Sequence, residues 1–209
     1  MKPISSYPTR IIAGLIDWFI PFGLTLALFT SLSASDRIDI LLNQALYISI
    51  TLLTVPICLN LLQAYLTGKY GGSIGKLISG LAVVDENEHF LTLPKSLFRS
   101  FIGPVISGPL LYLGYIWILL DRNHQGWHDM AIGTTVVETK PDGKTPGLIT
   151  LIILLIISGL LVSTIYTNFK SNSGMYQNLF QDISQEYEKY QELKKITPTP
   201  TPLIPSTVF

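Results

Sequence analysis

An aspartate, Asp17, sits seven residues after Arg10 inside the apolar run IIAGLIDWFIPFGLTLALFTSL, where an ionised carboxylate costs several kcal/mol to bury. Seven residues are two helical turns, so the two side chains share a face but stand roughly 10 Å apart along the axis. That separation is too great for a direct ion pair. Arg10 can snorkel to headgroups, whereas Asp17 needs a partner on another helix, a water-filled cavity or a proton. One reading makes Asp17 a protonatable or cation-binding group; the other makes it a hydrogen-bonding strut between helices. Partners are available at membrane depth in Asn43, Gln44, Asn60 and Gln63, the last two on one helical face. Lone amides of this kind also serve as inter-helix contacts.

A second polar cluster, Asp121-Arg122-Asn123-His124-Gln125-Gly126-Trp127-His128-Asp129, follows an apolar stretch. Two histidines and two aspartates invite a metal or general-base reading. His124 and His128 are spaced i and i+4, but the intervening Gly126 favours a turn over one helix face. No Glu or Cys supplies a third ligand at a recognised spacing, and a structural role is the better expectation; no metal, no cofactor and no catalytic residue is expected. Gly71-Gly72-Ser73-Ile74-Gly75-Lys76 has the look of a phosphate-binding loop, but is one residue short, lacks Ser or Thr after the lysine and follows an apolar helix instead of a strand. Hydrolase elbows and metalloprotease signatures are absent from the sequence, so an enzyme is not expected.

The elements that must carry these groups are apolar helices. The 209 residues are 48% hydrophobic and only 13% charged, with a mean hydropathy of +0.42 and zero formal net charge. This composition points to an integral membrane protein and gives no basic field for nucleic acid. Segments 11–33, 43–66, 100–120 and 147–166 are each long enough to cross a hydrocarbon core. The first could instead be read as a signal peptide, a reading opposed by its length and by Asp17. Cys58 lies in an apolar run, where packing is its expected role.

Basic residues flank the first segment on its N-terminal side, at Lys2 and Arg10, while Arg37 alone separates the first two segments. The N-terminus is therefore expected in the cytoplasm, in what is expected to be the plasma membrane. GLAVVDENEHFLTL predicts a short cytoplasmic β-hairpin, and TTVVET at 134–139 is a second strand-like run. Were these two runs to pair, 100–120 could not cross once, and Gly103-Pro104 and Gly108-Pro109 would suit a re-entrant helix. Four crossings put ten basic residues inside and four outside, against nine and five for re-entry, which does not discriminate. Four crossings are slightly preferred. Tyr176, Leu179, Phe180, Ile183, Tyr187, Tyr190 and Leu193 mark an amphipathic C-terminal helix, suited to a partner or the membrane surface, or simply docked on its own bundle. TPTPTP at 197–202 is an extended, polyproline-like end.

In order along the chain, Arg10-x-x-Ala13-x-x-x-Asp17, then Gly75-Lys76-x-x-x-Gly80-Leu81-x-Val83-Val84, Arg99, and Gln125-Gly126-x-His128-Asp129-x-x-x-Gly133-Thr134-x-Val136-Val137 resemble the RDD family of small membrane proteins. The resemblance covers about residues 7–138, leaving an added transmembrane helix at 147–166 and a polar tail at 167–209. It implies that Arg10, Asp17 and Asp129 are the family's three defining residues, with His128 beside the last. Trp127 departs from the aliphatic residue expected there. The expectation is thus an all-α membrane protein, a bundle of about four transmembrane helices with a small cytoplasmic hairpin and an amphipathic C-terminal helix. The family resemblance suggests transport of a small ligand or cation, coupled to protons or sodium, with Arg10, Asp17, His128 and Asp129 on the ligand or ion pathway. Asn60, Gln63 and Arg99 are expected to make inter-helix polar contacts. A non-enzymatic adaptor or assembly partner of a larger membrane complex is the alternative. The expected partners are the lipid bilayer and a second copy or another membrane protein.

Overall fold

The computed structural model describes residues 3–34, 38–107 and 113–196. Three long helices dominate: α1 (Tyr7–Ser33), α2 (Ile38–Tyr70) and, later, α7 (Lys144–Ser171). Among the described residues these are the helices long and apolar enough to cross a membrane. Their outward faces carry large exposed apolar side chains such as Leu53, Ile153, Ile156 and Leu160, which in water would be an unusually large patch and in lipid are simply solvated. Pro8 opens α1 within its first turn, where its missing N–H leaves nothing unpaired. Pro21 and Pro56 lie inside α1 and α2.

α1 and α7 pack along their length in parallel. At one end Ile12 and Ile16 meet Leu151, with Phe19, Ile78 and Leu154 around them. At the other, the Asn168 and Asn172 side-chain amides donate to the hydroxyl and carbonyl of Ser33, at 3.2 and 3.1 Å. α2 returns antiparallel to α1, since Gln44 and Ile48 lie near Leu28 and Ser31. The C-terminus of α2 therefore reaches the end of the bundle where α1 and α7 begin.

All the short elements gather at that end. They are α3 (Ile74–Ile78), β1 (Leu81–Asp85), α4 (Leu93–Ser107), α5 (Leu113–Ile116) with a 3-10 turn at Trp117–Leu119, α6 (Trp127–Ile132) and β2 (Thr134–Glu138). β1 and β2 pair antiparallel, with Val83 opposite Val136. The expected local hairpin is reduced to one bridge, Val84 to Phe90, closed by the Asp85 N–H on the His89 carbonyl at 2.9 Å. The main strand partner of β1 is instead β2, some fifty residues on, because both strands carry the apolar residues that cover the end of α1: Ala13, Leu81, Val83, Leu91 and Val136 form one buried cluster. The extended residues before α1 join the other edge of β2, through Ser5 N–H to Val136 O at 3.1 Å and Glu138 N–H to Pro3 O at 2.9 Å.

This pairing corrects the preference for a single crossing by residues 100–120. Strands that pair lie on one side of a membrane, so the chain between Asp85 and Thr134 must return to the side it left. α4 and α5 are each too short to span by themselves, and residues 108–112, which hold Gly108-Pro109, lie outside the described residues. The amphipathic tail is α8 (Ser173–Ile196), which starts at the far end of α7 and touches it through Phe169 stacked on Tyr176 at 4.8 Å. The TPTPTP end lies outside the described residues.

Candidate functional site: two aspartate cradles beside a polar cavity

α6 is capped by Gly126 before it and Gly133 after it, the latter with a φ of +66°, the left-handed conformation that a residue without Cβ adopts freely. The short helix thereby aims Asp129 inward, 1% exposed. Arg99, from α4, donates to Asp129 Oδ1 through Nη2 at 2.5 Å and Nε at 3.2 Å. Thr134 Oγ1 donates to the same oxygen at 3.1 Å, and the Gly126 N–H to Oδ2 at 3.3 Å. Burial acts to raise the Asp129 pKa, but the neighbouring Arg99 guanidinium outweighs it and holds the carboxyl well below the usual carboxylate range. His128 Nε2 lies 3.6 Å from Asp129 Oδ1. Its pKa is pushed down to about 4 by burial, against the pull of Asp129, so the imidazole is neutral at pH 7.

Arg10 completes this cluster at longer range, with Nη1 3.9 Å from Asp129 Oδ2. Its main bonds are to neutral acceptors: Ser5 Oγ at 2.5 Å, Val136 O at 2.9 Å and the His124 carbonyl. His124 has φ +52°, a conformation uncommon outside glycine. It precedes α6 and is not part of it, so His124 and His128 do not share a helix face; the His124 Nδ1 faces Ile118 O at 3.2 Å. Gln125 ties the same loop to β2 by donating to Thr134 O at 2.8 Å. Trp127, unexpected at its position, packs against Trp117 with ring centres 6.1 Å apart.

Asp17 occupies a separate cradle. Ser73 Oγ donates to its Oδ2 at 2.5 Å, the Gly75 N–H to Oδ1 at 2.8 Å, and Lys76 Nζ lies 3.8 Å from Oδ2. The glycine-rich stretch thus wraps an anion after all, but the anion is a side chain of the protein itself. Gly75 is obligatory in this packing: a Cβ there would run into the Ala13 carbonyl of α1. Lys76 also donates to Ser73 Oγ at 3.1 Å, and burial lowers its pKa against the opposing pull of Asp17.

The amides named as partners for Asp17 go elsewhere. Asn60 of α2 donates to Ser100 O of α4 at 3.5 Å, and Gln44 lies at the opposite end of the bundle. Arg99 joins α4 to α6 through the Asp129 carboxylate, a pairing that the need to neutralise a second buried aspartate could have signalled. Ser73 and Lys76 were missed as Asp17 partners because only tertiary packing brings α3 against α1.

The two cradles border one cavity of about 280 Å³. Arg10, Lys76, Arg99 and Asp129 give it ionised walls; Asn60, Gln63 and Thr67 from α2 add neutral donors and acceptors. A second, more apolar cavity of about 610 Å³, lined by Leu15, Asp17, Trp18 and Ile116, shares Arg10, Gly14, Lys76 and Ile118 with the first. Such a site has the size and the polar walls to hold a small polar molecule.

No curated protein and no solved structure matches the chain significantly. The RDD family model matches residues 5–133, more than half of the sequence, and spans Arg10, Asp17, Arg99 and Asp129 together with their short connecting elements. This all-α membrane protein belongs to the RDD family.

Proposed function

We propose that the protein transports a small polar ligand or cation, coupled to protons or sodium, with Asp17 as the intramembrane charged group. The observation that carries this reading is the cavity with ionised walls at one end of three apolar helices, because ionisable groups at membrane depth mark substrate and ion pathways. Asp17 lines the more apolar cavity, and Lys76, 3.8 Å from it, lines both. A proton or sodium ion taking the place of Lys76 would release the ammonium towards the cavity, which links occupancy of Asp17 to the charge a ligand meets. Arg10, His128 and Asp129 complete the pathway wall. The N-terminus and the site then face the cytoplasm, in the plasma membrane, as the basic flanks favour.

Purified protein in liposomes tests the reading through dissipation of pH and sodium gradients by wild type and Asp17→Asn. Wild type should dissipate a gradient and the variant should not; no flux from either, with both folded and inserted, sinks it.

A second reading, that of an adaptor for a larger membrane complex, is favoured by α8, whose Phe180, Ile183, Tyr187, Tyr190 and Leu193 are all more than half exposed. Co-purification of a stoichiometric partner that is lost on deleting residues 175–196 would favour it.

A further inference from the structure

The ionised side chains that line the cavity are mostly cationic. Arg10, Lys76 and Arg99 contribute three cations; Asp129 and Asp17 contribute two carboxylates. His128 adds no charge at neutral pH. The next carboxylate, Asp121, is half-buried outside the cavity lining; it draws on Arg10 at longer range and accepts the N–H groups of Asn123 and Gln125 at 3.0 and 2.9 Å. Uncompensated buried charge is costly, and the cost falls when an opposite charge enters.

The donors also face inwards from several sides. Arg99 uses Nε and Nη2 on Asp129, which leaves its Nη1 without a hydrogen-bond partner among the described residues. Lys76 comes from α3 and the Gln63 amide from α2; the Thr67 hydroxyl donates to the Gln63 carbonyl at 2.8 Å. A guanidinium, an ammonium and a neutral amide converging from different walls suit an acceptor with oxygens on all sides.

Resting on the cavity as the ligand site of the proposed function, we infer that it binds an oxyanion of phosphate type, whether free or carried as a lipid headgroup. A cation is then the coupling ion at Asp17, and the cargo or resident ligand is negatively charged. The cavity of about 280 Å³ takes a phosphate group with a small substituent.

The test is binding to the full chain in a non-ionic detergent after delipidation, so that it stands apart from flux. Inorganic phosphate is titrated by calorimetry, and short-chain phosphatidic acid is titrated in parallel. Gln63→Glu adds a negative charge to the cavity wall without touching either aspartate cradle, and Gln63→Leu removes the amide without adding charge. Saturable binding is expected, weakened at least about tenfold by Gln63→Glu and much less by Gln63→Leu, as a unit charge inside a low-dielectric cavity would do. Tighter binding of phosphate identifies a soluble anion, and tighter binding of phosphatidic acid a headgroup; both support the inference. Binding of neither anion by protein that elutes as a folded species overturns it, as does equal loss in the two variants. Anion binding without gradient dissipation would leave this inference standing and remove transport.

Discussion

Two aspartates at one end of the bundle are stabilised in different ways. Asp129 is neutralised by a guanidinium in contact with it, and breaking such a buried pair by removing one partner costs about 3–5 kcal/mol. Asp17 relies on a hydroxyl, a backbone N–H and a lysine at 3.8 Å, a looser arrangement that a competing cation could enter. His128 makes the residue scale testable by pH. Its folded pKa of about 4 lies below the ordinary 6.5, so the unfolded chain binds the extra proton first and stability rises with pH between these values. The contribution is fully present above pH 6.5 and is lost as pH falls towards 4. Unfolding of wild type and His128→Asn in detergent should show a pH-dependent difference of order 3 kcal/mol across that window. Parallel pH profiles would contradict it. Asp17 was conspicuous in the sequence because a carboxylate in an apolar run has no local remedy. Its remedy was not legible, since Ser73, Gly75 and Lys76 lie more than fifty residues away.

At the scale of elements, α3 acts as a small plug whose first turn docks on α1 at Ala13 and Asp17. Gly75→Ala forces its new methyl into the Ala13 carbonyl and should destabilise the protein by roughly 3 kcal/mol, with loss of the Asp17 cradle. Thermal unfolding in detergent checks this, with Gly14→Ala as the control, because a Cβ at Gly14 meets nothing within 4 Å. Equal melting of both variants would mean that α3 does not dock so closely. The strand runs were readable from their β-branched residues, as was the stripe of α8 from its spacing. Which strand paired with which was not, because Val83 and Val136 find each other only through the buried surface that both share with Ala13.

For the whole molecule, the parallel packing of α1 and α7 puts the residues before α1 and the tail α8 at opposite ends. This follows from the pairing of β1 with β2, which cancels a crossing between them. In a Cys58→Ser background, Asn87→Cys and Glu186→Cys should therefore react with an impermeant maleimide from opposite faces of a sealed vesicle. Labelling from the same face would restore a spanning 100–120 segment. By itself the sequence determined the membrane setting, the long apolar helices and the identity of the charged residues, because hydropathy and the cost of buried charge are local properties of the chain. Only the tertiary structure decided how each aspartate is neutralised, that mostly cationic side chains line the cavity, and at which end of the bundle the tail begins. Those depend on contacts between residues far apart in sequence, where close approach of backbones and the pairing of buried charges select one arrangement among many.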